Sequence, residues 1–146
     1  MLMNTISSFL SSGANIILFM IILPLVWGIT AWFLKKNYFL QLVVVVLSSA
    51  INLLFAVSLY LSEGFYLTFP FASNGLDIAF NVYEFSGLFL TFVAVGFLLV
   101  TLYGTAFMRN EKYSGLFMLY MYISLAMING AIISDNLGVM LFFWEG

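Results

Sequence analysis

Glu145 is the residue with the clearest capacity for chemistry. It follows an apolar run, Leu137-Gly-Val-Met-Leu-Phe-Phe143, and then Trp144. A helix starting at Asn136 or Leu137 would carry it about 12–13 Å along the axis, at ~1.5 Å per residue. That depth is close to the middle of a hydrocarbon core roughly 30 Å thick. A carboxylate there must be neutral, paired or hydrated, and by default it marks a path for ions or protons. No lysine or arginine lies inside any apolar run of the chain. A basic partner for Glu145 would therefore come from residues outside this sequence. The competing reading is an acid, next to last in the chain, that turns to water.

Three further polar positions are candidates. Asp135 sits in Ser134-Asp135-Asn136, before the last apolar run. It is expected to cap the following helix, since Ser, Asp and Asn are the preferred N-cap residues; ion entry or exit is the alternative. Asn52 and Asn129 lie within apolar runs. Such amides usually hold helices together, at about 0.6 kcal/mol per bond, and the alternative is a water chain.

The elements that must position these residues are apolar spans. Four full ones are expected at 14–34, 38–61, 87–108 and 113–133, with a partial fifth at 137–146. Each of the four is long enough to cross a bilayer as a helix and has no charge inside. In lipid the backbone must satisfy its own hydrogen bonds, so uninterrupted runs of this length mean helices rather than strands. The spans also carry Thr30, Asn52, Thr101 and Asn129. Pro24 predicts a bend in the first span. Trp32 suits an interfacial belt, and Trp27 is expected to pack inside. Gly96, Gly104 and Gly130 would allow close helix approach. The polar segment 1–13 has no basic region of the kind a cleaved signal peptide needs.

Composition supports the same class. The chain is 64% hydrophobic and 7% charged, more apolar surface than a soluble fold of this size can hide. There is no cysteine and no histidine. Disulfides, zinc sites and cysteine-ligated clusters are excluded, and so is the commonest haem and metal ligand. No cofactor and no metal site are expected in this chain. Four basic residues make no patch for nucleic acid.

The basic residues are confined to two short loops, Lys35-Lys36 and Arg109 with Lys112. Those loops fall on one side by parity, and short basic loops mark the cytoplasmic side. The N-terminus is then expected outside a cell or organelle inner membrane, together with Glu63, Asp77, Glu84 and Asp135. The long outer loop, 62–86, contains two stretches of period-two alternation around Ala72-Ser73-Asn74-Gly75. Asn-Gly between such runs predicts a β-hairpin, with the first strand ending by Pro70. A lone hairpin is marginal in water, so it should lie on a neighbouring subunit or on the outer ends of the helices. The expected fold is an all-α polytopic membrane protein, four transmembrane helices plus the start of a fifth, with an outer β-hairpin. It forms one domain over 1–146, or the first part of one.

Met108-Arg109-Asn-Glu-Lys-Tyr113, then Ser134-Asp135-Asn136-Leu137, then Phe143-Trp144-Glu145-Gly146 resemble the antiporter-like ion-pumping subunits. Those subunits belong to respiratory complex I, membrane-bound hydrogenases and Mrp-type antiporters. The order of spans and outer hairpin is similar to the way these subunits begin. The resemblance implies that Glu145 handles protons on the fifth helix, paired with a lysine on a later helix. It also implies partners, the other membrane subunits of a large complex, and no redox centre in this chain. The sequence departs from the family at Tyr83-Glu84-Phe85-Ser86-Gly87, where an aspartate-glycine pair is usual. Its length is that of the family's first part, as a split gene, a shortened sequence or a short natural subunit would be. The rival expectation is an accessory subunit with a structural role.

Overall fold

The computed structural model describes residues 13–62, 64–70 and 77–145. Among the described residues, four helices are long and apolar enough to cross a membrane. They are α1 (Gly13–Phe33), α2 (Tyr38–Tyr60), α3 (Glu84–Phe107) and α4 (Ser114–Ile133). A shorter helix, α5 (Leu137–Glu145), follows, and the strands β1 (Phe65–Pro70) and β2 (Asp77–Val82) lie between α2 and α3.

Local chemistry explains where the helices start and stop. After α1 the chain makes one 3₁₀ turn, Leu34–Lys36. Asn37 then caps α2 by accepting from the Leu40 N–H at 3.3 Å. At the start of α3, the Ser86 hydroxyl accepts from the Tyr83 N–H and donates to the Tyr83 carbonyl, each at 2.9 Å. The turn from α3 to α4 closes with Glu111 N–H on Met108 O and Ser114 N–H on Glu111 O.

Both basic loops meet at one end of the bundle. The Arg109 guanidinium lies 4.6 Å from the centre of the Tyr38 ring, linking the α3–α4 turn to the start of α2. A Cβ on Gly115, at the start of α4, would come within 2.9 Å of Lys35 Cβ. The parity expected from the sequence is therefore realised in the packing.

At the other end, β1 and β2 pair antiparallel from Phe65↔Val82 to Pro70↔Asp77. Pro70, which has no N–H for a ladder, is the last residue of its strand, as expected. The turn at Asn74-Gly75 lies outside the described residues. The hairpin lies on the ends of its own helices. Phe80 and Val82 are buried with Ile17, Met20, Ala56, Leu59, Leu90, Ala94 and Ile133. The free edge of β2 also continues past the sheet: Phe80 bridges Ser134, and the Asp135 N–H donates to Ala79 O at 2.9 Å. That edge use explains why Ala79 is buried although simple alternation puts it on the outer face.

Small residues set the helix spacing. Ideal Cβ atoms on Gly28, Gly104 and Gly87 would lie 2.8 Å from Tyr122 Cβ, 2.7 Å from Phe117 Cε1 and 2.8 Å from Tyr60 Cα. One on Gly130 would enter the Phe143 ring. Gly104 and Gly130 thus act as expected. Gly96 does not: among the described residues nothing lies within 4 Å of a Cβ there. It faces away from the neighbouring helices, so it is no contact residue.

Candidate functional site

The polar residues of the interior converge on one face of α2. Gln41, Ser48, Ser49 and Asn52 are all buried, in line with Val45, Ala56 and Leu59. Their three- and four-residue spacing brings them to one side of the helix. Gln41 Nε2 donates to Ala31 O of α1 at 3.2 Å. The Ser49 and Thr101 hydroxyls of α2 and α3 are 3.2 Å apart. The Ser48 and Tyr122 hydroxyls of α2 and α4 are in hydrogen-bond contact, and both also reach Val45 O.

Asn129 completes this seam from α4. It is fully buried. Its Nδ2 donates to Met20 O of α1 at 2.8 Å and to Asn52 Oδ1 of α2 at 3.3 Å. Pro24 lies four residues after Met20 in α1. A proline has no N–H, so it removes the helical bond that Met20 O would otherwise accept. Asn129 satisfies that carbonyl from a neighbouring helix. Asn52 and Asn129 are therefore brought together, and their observed bonds are helix-to-helix ones.

Three atoms of this region are buried without a hydrogen-bond partner among the described residues: Trp27 Nε1, Asn52 Nδ2 and Asn129 Oδ1. Trp27 packs inside against the cluster around Tyr122, as expected.

Asp135 does not cap α5. The cap is Asn136, whose Oδ1 accepts from the Val139 N–H at 2.8 Å. Its Nδ2 also donates to Asp77 O at 2.7 Å. Asp135 is exposed and accepts from Asn81 Nδ2 at 3.2 Å. Asp135 instead gives its backbone N–H to Ala79 O on the β2 edge and its carboxylate to Asn81. It ties the hairpin to the α4–α5 turn.

Glu145 is exposed, in the last turn of α5, beside Trp144, which is 75% exposed. It lies eight residues beyond Leu137, about 12 Å along the axis at ~1.5 Å per residue. Phe143 seats this helix, packing on Gly130 and 6.1 Å from the Phe80 ring centre. An open apolar groove of about 590 Å³ separates α5 from α1, with Leu18, Ile21, Val139 and Phe142 among its walls. Glu145 is thus exposed, whereas Asn52 and Asn129 are buried.

Sequence reasoning overlooked Gln41, Ser48, Ser49 and Tyr122. The helical spacing of the first three with Asn52 was the available signal. Tyr122 had none, because its partners belong to another helix. No model of a known protein family and no curated protein matches this chain.

Proposed function

We propose that this chain is the N-terminal part of an antiporter-like membrane subunit that translocates protons or sodium ions. The complex would be related to respiratory complex I and membrane-bound hydrogenases. The observation that carries this reading is Glu145, an exposed acid about 12 Å into an apolar helix, next to Trp144. An acid at that depth in lipid requires a charge partner or water. All four bases of the chain lie in the two loops at the far end of the bundle. The partner is then a base on another helix, supplied by further residues or by another membrane subunit. Redox energy would reach Glu145 from partner subunits as an electrostatic or conformational change. The basic loops face the cytoplasm and the hairpin faces outside, following the charge rule.

The test is Glu145→Gln in the assembled complex, which keeps the shape and removes the titration. Assembly and electron transfer should persist while ion pumping falls. Normal pumping by that variant would overturn the reading.

A structural role is the second reading. It is supported by the bonds of Asn52 and Asn129, which join α1, α2 and α4 as helix-packing amides do. Under that reading Glu145 meets no base from another chain, and Glu145→Gln leaves pumping unchanged.

A further inference from the structure

A small cavity lies beside Pro24, among α1, α2 and α4. Pro24, Trp27, Ser48, Asn52, Tyr122 and Leu125 contribute to its wall, and it leaves about 10 Å³ for a water-sized guest. Two of these residues carry buried hydrogen-bond donors with no partner among the described residues, Trp27 Nε1 and Asn52 Nδ2.

The donor at Asn52 follows from a chain of constraints. Pro24 leaves Met20 O without a helical donor. Asn129 must therefore turn its NH₂ group to Met20 O. The same NH₂ group meets Asn52 at 3.3 Å, so Asn52 must present its oxygen there. The Asn52 NH₂ group is then left on the other side. Reversing Asn52 would set two NH₂ groups against each other. The Trp27 indole can only donate. Two residues that line the cavity thus hold unpaired donors, and two others, Ser48 and Tyr122, hold hydroxyl oxygens with lone pairs.

We propose that this cavity binds a single water molecule, accepting from Trp27 Nε1 and Asn52 Nδ2 and donating to the Ser48 or Tyr122 hydroxyl. A cation is disfavoured by two unpaired donors. An anion is too large, and no base stands near to balance it. A buried water needs two to four polar partners and about 10–15 Å³, which this site matches. The water closes a polar circuit through α1, α2 and α4 beside Pro24, and it is independent of any role for Glu145.

The test uses the full chain with Trp27 as its sole tryptophan (Trp32→Phe, Trp144→Phe). The ultraviolet resonance Raman band of the indole N–H should sit at its hydrogen-bonded position. It should move toward the free position when Asn52→Leu removes the second donor. A free indole in the parent, or a bonded one that Asn52→Leu leaves unmoved, overturns the proposal. A second measurement needs no substitution in the cavity. Radiolysis in ¹⁸O-labelled water should label Trp27 and Tyr122 several-fold more than buried Phe97, after correction for ring reactivity. Equal labelling overturns it.

Discussion

Asn129 of α4 donates to the carbonyl of Met20 in α1 at 2.8 Å, the carbonyl that Pro24 leaves without a helical donor. A proline in one helix is therefore answered by a side chain more than a hundred residues later. The consequence is a double-mutant prediction. Asn129→Leu should destabilise the bundle by about 1–2 kcal/mol, because it strands Met20 O and Asn52 in the interior. In a Pro24→Ala background, α1 can bond Met20 O itself. The Asn129→Leu penalty should then shrink by about 0.6 kcal/mol. Unfolding of each variant in mixed micelles measures the cycle, and strict additivity would refute the coupling.

The glycines of α1 and α3 should respond in opposite ways. Gly28→Val drives a side chain into Tyr122, at a site where even a Cβ would be 2.8 Å away. A loss of about 1–3 kcal/mol is expected. Gly96→Ala meets open space and should be neutral or stabilising by up to about 1 kcal/mol. Thermal midpoints of the two variants, side by side, check the contrast.

The turn between α4 and α5 should depend on Asn136 more than on Asp135. Asn136→Ala removes the cap on Val139 and the bond to Asp77 O, with an expected loss of about 1 kcal/mol or more. Asp135→Ala removes one exposed bond to Asn81 and should cost under about 1 kcal/mol. Amide exchange at Val139 reports the difference. It should accelerate in Asn136→Ala and stay near the parent rate in Asp135→Ala.

Accessibility to an impermeant thiol reagent tests the orientation. Lys36 and Tyr66 are both exposed, and they lie at opposite ends of the bundle. In sealed vesicles, Lys36→Cys should react from the cytoplasmic side and Tyr66→Cys from the other. Reaction of both from one side would end the proposed topology.

The amino-acid sequence by itself determined the four long helices, the hairpin and the grouping of the bases. These follow from local rules: an apolar run of sufficient length must satisfy its backbone internally, and period-two alternation beside a favoured turn makes a ladder. What only the tertiary structure decided is how the helices are rotated and who touches whom. α1 and α4 are apolar on nearly every side, so no stripe announces their inner faces. Gly28 and Gly96 look alike in sequence, yet one meets Tyr122 and the other meets nothing among the described residues. Asp135 and Asn136 are equal candidates as caps until the tertiary structure engages the Asp135 carboxylate with Asn81 of β2. Asn129 was legible as a polar contact, but its match to the carbonyl freed by Pro24 was not. That match depends on the relative height and rotation of two helices, which long-range packing sets and local periodicity does not encode.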